Sequence, residues 1–139
     1  ACCMSASVSK KVRQIVAERA KFRCEYCRLK EEDSFLNFQI DHIVSKKHGG
    51  GSELENLAYA CPHCNQNKGS DLTTFIGSYE NIVPVFHPRK ENWFSHFEAV
   101  DGAIEALTEK GEATVKLLNL NDPERVIIRR ILQDIGLFP

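Results

Sequence analysis

The sequence has no excess of charge of either sign: 18 basic residues stand against 19 acidic ones in a chain of 139. Whole-chain electrostatics therefore neither favour nor exclude a polyanionic partner. It has no apolar run approaching the roughly 18 residues needed to cross a bilayer, and no charged-then-apolar start of the kind that directs secretion. A soluble, cytoplasmic protein with no membrane partner is expected. There is no internal repeat and no low-complexity segment, which sets aside solenoids and disordered tails. The length suits one domain with a modest core and is short for two independent ones.

What the chain does have is cysteine, in a pattern. Four of its six cysteines form two pairs, Cys24-x-x-Cys27 and Cys61-x-x-Cys64. Three disulfides are the other reading of six cysteines, but knuckle spacing without a secretion signal favours a tetrahedral thiolate shell around zinc. Cys2 and Cys3 fall outside the pattern and receive no role. A closed four-sulfur shell leaves no open coordination position, so its contribution is structural. Between the knuckles lies Asp41-His42, and the second knuckle runs into Asn65-x-x-Lys68. Oxygen and imidazole side chains suit a second, harder ion.

Charge is uneven along the chain. Residues 10–30 carry Lys10, Lys11, Arg13, Arg19, Lys21, Arg23, Arg28 and Lys30 against Glu18 and Glu25, whereas residues 91–139 hold 5 basic and 9 acidic side chains. A basic front and an acidic rear can orient a polyanion; a solvated helix face gives the same pattern.

Val12, Ile15, Val16 and Ala20 recur at helical spacing, predicting a helix from Val8 to about Ala20 with Ser7 or Ser9 as N-cap. Loose alternation predicts a strand over Phe35–Val44, then a loop through the glycines 49–51, a return strand over Asn56–Ala60 and a helix from Asn65 towards Tyr79. Farther on, two strands joined around Asp101-Gly102 are expected. A helix capped by Thr108 comes next, and another begins at Pro123 with Val126, Ile127, Ile128, Ile131 and Leu132 as its apolar surface. The expected organisation is a core over 1–79 and an extension over 80–139 packed on it, one compact domain overall.

Cys24-Glu25-Tyr26-Cys27, Ile40-Asp41-His42-Ile43-Val44, Gly49-Gly50, Glu55-Asn56-Leu57 and Cys61-Pro62-His63-Cys64-Asn65-Gln66-Asn67-Lys68-Gly69 resemble, in order and spacing, the zinc-knuckle branch of the HNH endonuclease family. The resemblance spans about residues 22–70. It implies an α+β fold: a ββα-metal (His-Me finger) nuclease core around one catalytic divalent ion, braced by the zinc knuckles, here continued by an α/β C-terminal extension.

By position, the resemblance makes His42 the general base that activates water, and Asp41 and Asn65 the ligands of the catalytic ion, Mg²⁺ or Mn²⁺. Asn56 becomes the residue that holds the base histidine in orientation. The family commonly places histidine where this chain has Asn65, so the pattern reads His-Asn-Asn, and an amide oxygen suits hard Mg²⁺. Lys68, three residues farther along the helix, is expected to reach the scissile or adjacent phosphate unless it is an ordinary exposed lysine. Neighbouring strand residues point to opposite faces. Asp41 and His42 can serve one phosphate only if the chain bends after His42 or the ion sits at the strand's end. His48, beside Lys46 and Lys47, is a possible phosphate contact. His63 is expected to face solvent, and His87 and His96 to have packing or surface roles.

The implied activity is metal-dependent hydrolysis of phosphodiester bonds, leaving 5′-phosphate and 3′-hydroxyl ends. DNA as partner comes from the resemblance; the residues themselves do not separate it from RNA. Two other readings remain: a zinc-stabilised nucleic-acid-binding module without turnover, and a structural partner in a larger phage or restriction system, docking through the acidic C-terminal half.

Overall fold

Ser9 starts the first helix, α1 (Lys10–Arg19), by accepting the Val12 amide on its hydroxyl at 3.1 Å, which satisfies one of the donors that a helix start leaves open. In the computed structural model, which describes residues 8–139, α1 buries Val16 and Ala17 while Ile15 stays exposed. Cys2, Cys3 and Ser7 lie outside the described residues. The first cysteine knuckle comes directly after α1, turned by Lys21, Phe22 and Arg28 at positive φ. Strand β1 (Gln39–His42) then pairs antiparallel with β2 (Leu57–Ala60), Asp41 opposite Ala58 and His42 opposite Leu57. The strand is shorter than Phe35–Val44, because Phe35 and Leu36 are exposed and only Phe38 turns inward.

Helix α2 (Pro62–Lys68) opens at Cys61, with Pro62 at its first position, three residues earlier than the sequence predicts. It also stops far short of Tyr79. Gly69 takes φ 54° and ψ −130°, a conformation open to glycine and costly for other residues. β1, β2 and α2 make the expected ββα unit, and the fold class is α+β.

The positive charge of residues 10–30 is partly consumed by this fold. Arg13 donates to the Phe38 carbonyl, Arg19 to those of Leu54 and Leu57, and Arg23 to that of Arg28. Arg13 and Arg19 thus tie α1 to the hairpin and its flanking segments, and Arg23 braces the first knuckle, so these three guanidiniums do not form a free basic face.

A second compact unit begins at Asp71. The expected boundary after residue 79 falls inside a hairpin, β3 (Thr73–Phe75) with β4 (Ile82–Pro84), so residues 71–79 belong to this second unit. β5 (Phe97–Val100) and β6 (Ala103–Ala106) pair around Asp101 and Gly102, both at positive φ, as predicted. Phe86, Trp93 and Phe97 are buried together, Phe86 edge-on to Phe97 with centroids 5.5 Å apart and Trp93 tilted against Phe97 at 5.0 Å. Thr108 caps α3 (Glu109–Leu117), whose Ala113 and Thr114 are buried.

Helix α4 (Pro123–Asp134) begins at Pro123 as expected. Arg125 and Arg129 are its buried side chains, and Ile127, Ile128 and Ile131 are exposed. Arg129 donates to the carbonyls of Gly102 and Leu120 at 2.7 and 2.6 Å, binding the β5–β6 turn to the end of α3. No helix among the described residues is long and apolar enough to cross a membrane.

Candidate functional site

The two knuckles converge. Cys24, Cys27, Cys61 and Cys64 are buried and unbridged, and their sulfurs all lie within 4.8 Å of one another. Sγ of Cys27 and Cys61 are 3.8 Å apart, matching the edge of a tetrahedron with metal–sulfur bonds of about 2.3 Å. The amides of Cys27 and Cys64 each donate to the first sulfur of their own knuckle at 3.4 Å. Burial, reinforced by neighbouring sulfurs, pushes the Cys24 and Cys64 thiols well above the usual range. Four thiolates need a cation to exist there, and the chemistry of the set suits zinc.

Tyr26, inside the first knuckle, reaches from this cluster into the hairpin. Its hydroxyl donates to Asp41 Oδ2 at 2.6 Å, and both side chains are buried. Lys68 of α2 approaches the same carboxylate, Nζ lying 3.2 Å from Oδ2 and 3.4 Å from Oδ1, and donates to the Ile43 carbonyl at 2.8 Å. Burial pushes the Asp41 carboxyl up, against the opposing pull of the Lys68 ammonium and the Tyr26 hydroxyl. Lys68 is only 1% exposed. The sequence sets it against phosphate; the structure places it beneath Asp41, its ammonium surrounded by protein oxygens. That corrects the expected role, since a four-carbon side chain on the inner face of α2 is long enough to reach the β1 backbone and is held there.

Asn65 stands one helical turn before Lys68 and donates its amide to Gln39 at 2.7 Å. Gln39 and Asp41 share a face of β1, so Asn65 and Asp41 lie on the same side of the hairpin. A carboxylate and an amide oxygen are hard donors of the kind that Mg²⁺ or Mn²⁺ takes. Tyr26 and Lys68 engage chiefly Oδ2 of Asp41, which leaves Oδ1 as the freer atom.

His42, the next residue, is the last of β1. Its Nε2 is 3.0 Å from the Ser52 hydroxyl, and its Nδ1 is buried with no hydrogen-bond partner. Burial first, then the nearby Lys46 ammonium, lowers its pKa, so the neutral imidazole is the form present at neutral pH.

The loop that brings Ser52 back to His42 is closed by Asn56. Oδ1 of Asn56 accepts the Val44 amide at 2.9 Å, and Nδ2 donates to the carbonyls of Val44 and Gly51 at 2.9 and 2.8 Å. Gly50 lets the two sides approach: a Cβ there would lie 1.7 Å from the Val44 oxygen and 2.9 Å from Asn56 Nδ2. Gly50→Ala is expected to cost about 1–3 kcal/mol through forced displacement of the backbone, read as a lowered urea midpoint with unchanged slope.

The other histidines divide simply. His48 and His63 are exposed. His87 accepts the Arg89 amide, and His96 contacts Thr108 at 2.7 Å and Glu91 at 3.6 Å, all within the second unit. Tyr26 and Ser52 are the two site residues that the motif pattern does not single out. The only signal for Ser52 is its place directly after the three glycines.

Comparison with known proteins agrees with the motif reading over the hairpin. Residues 24–71 match the family model of the HNH endonuclease, which bears out the resemblance from the first knuckle to the end of α2. The chain is also similar to the Septu protein PtuB of Bacillus thuringiensis, 26% identical over 125 residues, an alignment covering 87% of this chain and 45% of that protein. The chain thus spans less than half the length of this curated relative. No solved structure matches.

Proposed function

We propose, from an HNH-type ββα unit over residues 24–71, that this chain is a metal-dependent endonuclease acting on DNA, with His42 as general base. The observation that carries the reading is the state of His42. It ends β1, it is held on one side by Ser52, and its remaining ring nitrogen is a buried polar atom with no protein partner. Such an atom calls for an unseen water or a catalytic task.

In the proposed reaction, water gives a proton to Nδ1 of His42, and its oxygen attacks phosphorus in line. The P–O3′ bond breaks, leaving a 5′-phosphate, and the departing 3′ oxygen takes a proton from solvent. Asn56 keeps the loop closed so that the imidazole stays oriented. Asp41 and Asn65 are the residues that would hold the divalent ion, which supplies positive charge for the phosphoryl oxygens and the leaving oxygen. Tyr26 and Lys68 hold the Asp41 carboxylate in place from behind. The four cysteines would hold zinc in a structural role.

The test is nicking of supercoiled plasmid with Mg²⁺, Mn²⁺ or excess EDTA, wild type beside His42→Ala. Cleavage should require added metal and fall by about 10²–10⁴-fold in the variant, with zinc content and DNA binding retained. Wild type and variant equally inert while both bind DNA would replace the nuclease with a binding module.

A further inference from the structure

The geometry points to Ser52 as the positioning residue that fixes the tautomer of His42, keeping the ring proton on Nε2 and the lone pair on Nδ1. The tautomer itself follows from hydrogen bonding alone; its catalytic consequence rests on the nuclease reading above.

A neutral imidazole carries one N–H and one acceptor nitrogen. His42 is 3% exposed, so neither nitrogen can rely on bulk water. If the proton sat on Nδ1, a buried N–H would have no acceptor, because that atom has no partner. If it sits on Nε2, it is donated to the Ser52 hydroxyl at 3.0 Å, and the atom left over is an under-satisfied acceptor. Orphaned buried donors are the rarer and costlier of the two. The second arrangement therefore wins, and it is the one a general base needs, since it leaves the Nδ1 lone pair uncommitted.

Ser52 is delivered to this position and held there. Asn56 grips the Gly51 carbonyl, one residue before Ser52, and also both backbone polar groups of Val44, two residues after His42. The bare Gly50 backbone packs where a side chain would strike the Val44 oxygen. Asn56 makes none of these bonds to the imidazole. Its hold on His42 runs through the loop and the Ser52 hydroxyl, which explains how a bracing asparagine in the loop can orient a base on the strand.

The experiment is nitrogen NMR of the full zinc-loaded chain with ¹⁵N-labelled histidine, at a pH well above the ordinary imidazole pKa. Wild-type His42, assigned by its loss in His42→Ala, should show a protonated Nε2 and an unprotonated Nδ1. Ser52→Ala should give a mixture of tautomers and lower kcat by about tenfold, with KM for DNA unchanged. Ser52→Thr, which keeps the hydroxyl, should restore both. A wild-type ring protonated on Nδ1 overturns the inference whether or not any variant folds, and so does a folded Ser52→Ala with an unaltered tautomer. The stated tautomer in a protein that does not cleave supports the assignment and counts against the nuclease reading instead.

Discussion

Cys61→Ser should leave the first unit unfolded and free of zinc. Cys61 does two jobs, since its sulfur accepts the Cys64 amide as N-cap of α2 and stands 3.8 Å from Cys27 in the four-sulfur cluster. Serine keeps the capping ability and loses the thiolate, so the substitution isolates the metal from the cap. The buried apolar residues around the hairpin, among them Val16, Phe38, Ile40, Ile43 and Leu57, form a small core, of a size that usually needs a staple. Structural zinc supplies about 10–16 kcal/mol in comparable small motifs, against a total stability of about 5–15 kcal/mol for a typical domain. Losing one of four ligands should therefore cost more than the unit has to lose. The check is metal stoichiometry by mass spectrometry together with far-ultraviolet circular dichroism and near-ultraviolet signals from Tyr26 and Tyr59. A zinc-free variant with native spectra would remove the cluster from its structural role.

The parts legible in the sequence are those fixed by short spacings. Two Cys-x-x-Cys knuckles can close only a small set of shapes, and Asp101-Gly102 between apolar runs forces a tight hairpin turn. What escapes is set by tertiary context. Strand β3 falls within the stretch read as a helix towards Tyr79, although Gly69, where α2 ends, is a local stop signal. The arginines of residues 10–30 read as a basic face, yet Arg13, Arg19 and Arg23 spend hydrogen bonds on carbonyls up to 38 positions away. On helix α4 the sequence shows an apolar surface but not that Arg125 and Arg129 turn inward, recruited by carbonyls after α3 and at the β5–β6 turn. Those backbone oxygens are invisible until the chain is folded.

Lys68→Met should destabilise the first unit by about 3–5 kcal/mol, the cost of stranding a buried charge. The Lys68 and Asp41 side chains are 1% and 4% exposed, so solvent screens neither. In the variant, Asp41 keeps only the Tyr26 hydroxyl, and burial already pushes its carboxyl upward; the group should then protonate in preference to remaining an unpaired anion. The double variant Asp41→Leu, Lys68→Met removes both charges and should recover part of the loss, because an apolar pair of similar volume often replaces a buried ion pair without penalty. Urea titrations of the wild type, the two single variants and the double variant close the thermodynamic cycle, and a coupling energy near zero would show that the ammonium and carboxylate act independently. The same cycle bears on the site. If Lys68 serves phosphate directly, its loss should damage cleavage without touching stability. If it holds Asp41 from beneath, stability falls first, and the affinity for the added divalent ion, measured by Mn²⁺ electron paramagnetic resonance on protein kept folded at low temperature, falls with it.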